Sequence, residues 1–444
     1  MKIEVPEKVK LIIDTLRRHG HEAYAVGGCV RDSVLGRTPN DWDITTSAKP
    51  EEVKAAFRRT IDTGIEHGTV TVMLQKEGFE VTTYRIDGTY TDGRHPDSVV
   101  FTSALSEDLL RRDFTINAMA YNDHDGLVDL YGGVKDLECR IIRCVGDPNA
   151  RFDEDALRIL RAVRFAAQLG FSIDSATWEA IKSHAEDLRK ISAERIQVEL
   201  VKLLTSPHPQ LFRLLYESGI TAVIMPEFDT CMKMEQHTPY HLYNVGEHSL
   251  KSLEFVPEDK VLRLTMLLHD IAKPEVHRVD STGTDHFKGH AETSAMMAKT
   301  ILKRLKFDND TLDKVTKLIR FHDIRAGATA AAVRRAMYEI GPSLFDAYLA
   351  VQRADNFAKN TDVLESEFER LDRVEALSRQ IIERGDPLSL KALAINGRDL
   401  LSLGIKGKAV GEVLESALMM VLEMPELNDH ELLLTYAMQK GGLA

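Results

Sequence analysis

Little in this chain points to a membrane or an oxidising compartment. Its 444 residues include four cysteines, Cys29, Cys139, Cys144 and Cys231, and none of them forms a C-x-x-C pair. Thiols so few and so spaced build no disulfide framework, which fits a reduced, cytoplasmic protein. No stretch reaches 18 consecutive apolar residues, so no transmembrane helix and no membrane partner are expected. The opening MKIEVPEKVKLIID is charged and helical in period, and reads as structure and not as a signal peptide. No G-x-x-x-x-G-K-[ST] occurs, which excludes a P-loop. Repeats and low-complexity segments are also missing.

What is present is a large acidic chain with material for several cores. It is 43% hydrophobic, and its net charge is −12. That charge argues against bulk nucleic-acid binding but leaves room for a local basic stripe, for which Lys190, Arg195 and Lys202 are candidates. The length suits about three domains. Up to residue 145 strand and helix patterns alternate: "EAYAVGG", "DWDITTS", "GTVTVML" and "FEVTTYR" read as strands, and "VRDSVLG" as a helix. From about 150 onward the patterns are helical, with Gly, Ser or Pro at the ends. A charged break, ERGDP at 384–388, sets off the last helical stretch. The expected fold is an α/β head with a mixed sheet over 1–145, then an all-α neck over 146–225, a body over 226–375 and a tail over 376–444.

Three groups of residues carry chemistry. In "NDWDITTS", Asp41 and Asp43 lie two apart on an expected strand and so share a face. Two adjacent carboxylates repel unless a cation such as Mg²⁺ sits between them, and Glu80 in "FEVTTYR" is a candidate third oxygen ligand. In "VGGCVRD", Gly27 and Gly28 stand between strand and helix, where bare backbone amides can approach a phosphate and Arg31 can grip one. In "RFDEDALRILRAVRFAA", residues 151–167, a single helix is expected, with Arg158, Arg161 and Arg164 at spacing three behind Asp155. Such a row serves either as a solvated face of paired charges or as a set aimed at a ligand.

The segments "AVGGCVRDSVLG", "DWDI", "FEVTTYR", "LLRRDFTINAMAY", "FDEDALRILRAVRFAAQLGF" and "ISAERIQVEL" occur in this order at compact spacing. Together they resemble the bacterial and eukaryotic class of tRNA nucleotidyltransferases, the CCA-adding enzymes and related poly(A) polymerases. The resemblance is strong over about residues 20–220, and "AINGRDLLSLGIKGKAVGEVL" is similar to the family's C-terminal segment. It implies Mg²⁺-dependent nucleotidyl transfer to tRNA at Asp41 and Asp43. It also implies triphosphate contacts from Gly28 and Arg31, and a nucleotide contact from Arg112. By the same resemblance Asp155 and Arg158 would read the base of CTP or ATP, and Arg161 and Arg164 would complete the site. The chemistry agrees. Cytosine and adenine both present an amino donor beside a ring-nitrogen acceptor, which one carboxylate and one guanidinium match. Uracil and guanine present the reverse, leaving buried groups unpaired at about 1–3 kcal/mol each. The loop "DGTYTDGRHPDSV", with Asp92 and Arg94, resembles the loop tied to adding the terminal A. Addition of A alone remains an alternative.

Eight of the sixteen histidines fall between 237 and 322. His248, the pair His269-Asp270, His290, His322 and Asp355 follow in an order that resembles the HD phosphohydrolases. That resemblance implies a metal-dependent phosphatase or phosphodiesterase in the body, holding Ni²⁺, Co²⁺ or Mn²⁺ on its imidazoles. His237, His241, His277 and His286 read as surface or loop positions. Two other functions compete. A poly(A) polymerase would be expected to have a basic C-terminal extension, yet residues 400–444 hold three Lys/Arg against six Asp/Glu. A pure HD hydrolase with a sensing head would not need the carboxylates Asp41, Asp43 and Glu80. The oligomeric state is not legible.

Overall fold

A computed structural model describes residues 2–88, 99–237, 242–359 and 365–441. The chain divides into two compact units, Met1–Pro226 and Glu227–Ala444.

The first unit opens with helix α1 (Glu7–Arg18), whose Val9, Ile12, Ile13 and Leu16 recur at helical spacing and are buried. It packs on a mixed seven-stranded sheet: β1 (Ala23–Val26), β2 (Asp43–Thr46), β3 (Thr60–Gly64), β4 (Thr69–Leu74), β5 (Glu77–Thr83), β6 (Met119–Asn122) and β7 (Gly126–Asp129). The strand order is β3-β4-β5-β2-β1-β6-β7. Only β2 and β5 pair in parallel, with Ile44 opposite Val81; the other pairs are antiparallel. Along β5, Phe79, Val81 and Thr83 are buried while Gly78 and Glu80 are exposed, so one face is core and the other is open. That open face positions the site. Two short helices serve it: α2 (Gly28–Val34), directly after β1, and α3 (Leu105–Leu110), which leads into Arg111 and Arg112.

The neck departs from the sequence reading. Residues 151–167 are two helices, α4 (Pro148–Glu154) and α5 (Leu157–Leu169), and not one. Asp155 between them is extended (φ −146°, ψ 102°). Its carboxylate accepts from the Leu157 amide at 3.0 Å, capping α5 and competing with continuation of α4. Gly170 ends α5 at φ +70°, a conformation that favours glycine. Helix α6 (Ala193–Leu204) packs along α5.

The second unit is helical apart from a two-stranded ribbon, Arg278–Val279 with Asp285–His286, closed by the expected loop "DSTGTD". Five of its helices surround the histidines: α7 (Val245–Ser252), α8 (Lys260–Leu268), α9 (His290–Arg304), α10 (Asn309–Phe321) and, after α11 (Ala330–Ile340), α12 (Phe345–Phe357). A long α13 (Glu365–Arg384) ends inside the charged break, and α14 (Lys408–Glu423) and α15 (His430–Lys440) build a separate apolar cluster. Buried Arg334 on α11 donates to the Leu422 and Glu423 carbonyls at 2.6 and 2.8 Å, capping α14. All four cysteines are free thiols. Among the described residues, no helix is long and apolar enough to cross a membrane.

Candidate active site and a second, histidine-rich centre

The strand β2 begins at Asp43, and Asp41 lies in the extended segment before it, so the two do not share a regular strand as the sequence reading expects. Glu80 stands on β5 one residue before Val81, as Asp43 stands one before Ile44, which puts both on the open face. The three carboxylates do not gather as a ligand trio within 4.8 Å, because only Asp43 and Glu80 lie on paired strands. Asp43 is solvent-accessible at its tip but crowded at its base. Burial raises its pKa and Asp41 adds to the rise, while Arg112 opposes both. A pair that holds its protons more tightly than usual fits a site where a cation would relieve the repulsion.

Arg112 is held from below. Buried Asp108 on α3 accepts from Arg111 at 2.8 and 3.0 Å and from the Thr45 hydroxyl of β2 at 3.0 Å, and lies 3.7 Å from the Arg112 guanidinium. Burial lowers the Arg112 pKa despite Asp108 and Asp43. Its Nε is buried without a hydrogen-bond acceptor among the described residues. Gly27 (φ +83°) lets this guanidinium reach the backbone, since a Cβ there would lie 2.9 Å from Arg112 Nη1. Gly28 begins α2. That helix has only seven residues, so close backbone approach, more than a helix dipole, is what the Gly-Gly turn offers an anion. Arg31 is engaged: it forks onto Asp32 at 2.9 Å and donates to Asn117 at 2.8 Å.

Beside this face lies a pocket of about 250 Å³. Arg111, Arg112, Arg158, Arg161 and Arg195 line it with Asp113 and Asp155, an excess of positive charge suited to an anion. Asp155 accepts from Arg195 at 2.8 Å. Arg158, buried, donates to the Arg111 and Arg151 carbonyls at 2.9 and 3.1 Å and pairs with Glu154. Arg161 donates to Asp113 at 2.9 Å. Burial works against the Asp113 carboxylate, but Arg161, Asn117 and Arg158 hold its pKa far below the usual range. Asn117 joins the two regions, donating to Asp113 at 3.1 Å while accepting from Arg31.

Arg164, expected to complete this site, does not line the pocket. Six residues past Arg158 it has turned about 120° around α5. There it pairs at 2.6 Å with buried Glu199 of α6 and stacks on the Phe165 ring, 3.6 Å from the centroid. Burial pushes its pKa down to about 10, against Glu199. Lys190, offered for a basic stripe, is exposed and paired with Asp187. Asp92, Arg94 and His241 lie outside the described residues. Sequence reasoning missed Asp113, Asn117 and Glu154, although each stood inside a quoted segment.

In the second unit the six histidine-centre residues converge. His248 Nε2 lies 2.9 Å from Asp355 and 3.3 Å from His269 Nε2. His290 and His322 face each other, Nε2 to Nε2, at 3.2 Å. Asp270 stands between the pairs: Oδ2 lies 3.3 Å from His269 and 3.8 Å from His248, and Oδ1 lies 3.4 Å from His290 and 3.6 Å from His322. The ligand atoms of His248, His269 and Asp270 fall within 4.8 Å of one another, as do those of Asp270, His290 and His322. In each ring Nδ1 meets a backbone carbonyl: Ala358, Met266, Phe287 and Ile319, at 3.2, 2.8, 2.9 and 2.6 Å. A carbonyl only accepts, so Nδ1 carries the proton and Nε2 turns a lone pair inward. Lone pairs and carboxylates aimed at one another repel, and cations resolve the conflict.

A pocket of about 330 Å³ opens on this centre, with Lys273, Lys288 and Lys359 in its wall. Lys273 donates to Asp270 and Gln236, both at 2.8 Å, and Lys359 pairs with Asp355. Two of the four histidines read as surface or loop are tied down: His237 and His277 meet buried Asp285 at 3.1 and 2.7 Å.

Three family models match in succession. One, described as the poly A polymerase head domain, covers residues 23–143; one, a probable RNA and SrmB binding site of polymerase A, covers 170–232; one, a putative tRNA nucleotidyltransferase domain 2, covers 288–437. A CCA-adding enzyme of Levilactobacillus brevis is 39% identical over 425 residues, 93% of this chain and 94% of that protein. One from Lactobacillus helveticus is 52% identical over 222 residues, 50% of this chain and 55% of that protein. The crystal structure of the Bacillus stearothermophilus CCA-adding enzyme in complex with CTP superposes with a TM-score of 0.74 at 30% identity, covering 99% of this chain and 98% of its own.

Proposed function

This chain belongs to the CCA-adding enzymes, and we propose that its open sheet face and the arginine pocket beside it are where it completes tRNA. The reaction adds C, C and A to the 3′ end of tRNA from CTP and ATP without a nucleic-acid template, and releases pyrophosphate. Enzymes of this family use a divalent metal. We assign Mg²⁺ to Asp41 and Asp43, with Glu80 on the same face as Asp43; the hard oxygen donors fit that ion. Bound there, Mg²⁺ would neutralise triphosphate charge and favour the ionised 3′-hydroxyl. The protein does the rest. Gly27 and Gly28 leave room for the triphosphate, and Arg112 meets it. Asp155 accepts from the base amino group while Arg158 donates to the ring nitrogen, and Arg161 is steadied by Asp113 beside them. Residues 1–145 serve as catalytic head, 146–225 as neck and 376–444 as tRNA-binding tail.

The observation that carries this reading is the pocket with Asp155 and Arg158 at the break between α4 and α5, next to Arg112 and the open face. The test is incubation with tRNA lacking its 3′ CCA and each labelled nucleotide in turn. Incorporation of C twice and then A, with no U or G, is expected. Incorporation of A alone, and only into tRNA already ending in CC, would reassign the chain as an A-adding enzyme.

A second activity is favoured by a separate observation, the inward Nε2 atoms on either side of Asp270. We read residues 226–375 as an HD-type phosphohydrolase. His248, His269, Asp270 and Asp355 would hold one transition metal, and Asp270, His290 and His322 a second. Lys273, Lys288 and Lys359 in the pocket wall suit a phosphate ester.

A further inference from the structure

We propose that Arg195 is a positioning residue for base choice, holding the Asp155 carboxylate as a fixed acceptor in the nucleotide pocket. This rests on the reading of Asp155 as the group that accepts from the base. Asp155 is not part of a helix. It occupies the gap between α4 and α5 with extended backbone, so helical geometry does not fix where its side chain points. Two contacts do so instead. Oδ1 accepts from the Leu157 amide at 3.0 Å and Oδ2 from Arg195 Nη2 at 2.8 Å. A carboxylate has about four lone-pair sites, so acceptor capacity remains for a base amino group.

The source of the second contact matters. Arg195 is forty residues away, in the first turn of α6, and it lines the same pocket as Asp155 and Arg158. Helix α6 is in turn fixed against α5 by the buried Arg164–Glu199 pair. Arg158, the donor half of the reading edge, is held separately by Glu154 and two carbonyls. The two halves are therefore anchored by different partners, which keeps them from pairing with each other. Asp155 and Arg158 are three residues apart, within reach of a mutual ion pair that would cancel both as base readers. Arg195 engages the carboxylate first. Removing it frees Asp155 to turn to Arg158, and bases with the opposite edge are then rejected less.

The test measures single-turnover incorporation of CTP, ATP, UTP and GTP on tRNA lacking CCA by Arg195→Met, Arg195→Lys and Asp155→Asn. Arg195→Gln carries the test if the Met variant does not fold. Arg195→Met should raise UTP and GTP incorporation relative to CTP by about tenfold, the weight of one charged hydrogen bond. Arg195→Lys should recover part of the discrimination, since it restores charge but not the fork. The affinity of tRNA should stay within a few-fold. A uniform slowing for all four nucleotides, or a loss confined to tRNA binding, overturns the proposal. If Asp155→Asn relaxes base choice while Arg195→Met does not, Arg195 alone is misassigned. If neither variant changes base choice, Asp155 is not the base reader and the parent reading falls too.

Discussion

Gly27 is where a single atom decides whether the head can work. Its φ of +83° costs a side-chain-bearing residue about 1–2 kcal/mol, and a Cβ would meet Arg112 Nη1 at 2.9 Å. Arg112 also keeps a buried Nε without an acceptor, as expected of a group waiting for an anion. Gly27→Ala should therefore lower kcat/KM for CTP and ATP by about tenfold or more while shifting Tm only modestly, because the strain is close to the energy of one decade. Equal loss of stability and activity would mean that the glycine serves folding alone. Asp43→Ala should abolish addition and leave tRNA binding within a few-fold, checked by turnover with Mg²⁺ beside a filter-binding titration. Near-wild-type turnover would remove the metal from Asp43. The Gly-Gly turn and the aspartates are visible in the sequence as residue types. That Arg31 forks onto Asp32, or that Asp113 catches Arg161, is not visible, since both depend on which guanidinium the fold brings to which carboxylate.

At the scale of elements, α5 has two faces with different work. Arg158 and Arg161 look into the pocket, while Arg164 is turned into the contact with α6. The sequence showed three arginines at equal spacing and no sign of this division. The helical twist supplies part of the answer, and Glu199, thirty-five residues on, supplies the rest. The break at Asp155 was hidden for a similar reason, because an aspartate can cap one helix or continue another and only the packing chooses. The strands of the head were easier to read, since alternation in "FEVTTYR" maps directly onto one buried and one open face. The Arg164–Glu199 pair gives a stability prediction. Both side chains are at least nine-tenths buried, so Glu199→Ala leaves an uncompensated guanidinium and should cost about 3–5 kcal/mol. The double variant Arg164→Met with Glu199→Leu should recover most of that loss, as read by urea denaturation. A single variant as stable as the parent would show that water reaches the pair.

For the whole molecule, the two compact units offer metals two different chemistries. The head presents only carboxylate oxygens, which suit Mg²⁺. The second unit presents four imidazoles with inward Nε2 atoms around Asp270 and Asp355, which suit later transition metals. The α/β-then-helical order of the chain was legible from its periodicities, and the histidines from their crowding. That Asp270 turns one oxygen toward each histidine pair was not, because it depends on how α8 meets α9 and α10. His269→Ala with Asp270→Ala should therefore act on one unit and spare the other. CCA addition with Mg²⁺ should stay largely intact, since neither residue lies in the unit that carries the carboxylates and the arginine pocket. Binding of Ni²⁺, Co²⁺ or Mn²⁺ to the second unit, followed by calorimetry, should be lost, and with it any metal-stimulated hydrolysis of phosphate esters such as 2′-phosphates and 2′,3′-cyclic phosphates. The double substitution removes a buried imidazole together with the carboxylate shared by both histidine pairs, so His290→Ala is the milder companion. It should weaken the site at Asp270 and His322 while leaving His248, His269 and Asp355 in place. If the parent protein binds none of these ions and hydrolyses no phosphate ester with any of them, the facing histidines are structural. Lys273 and Lys359 would then neutralise Asp270 and Asp355 in place of metal.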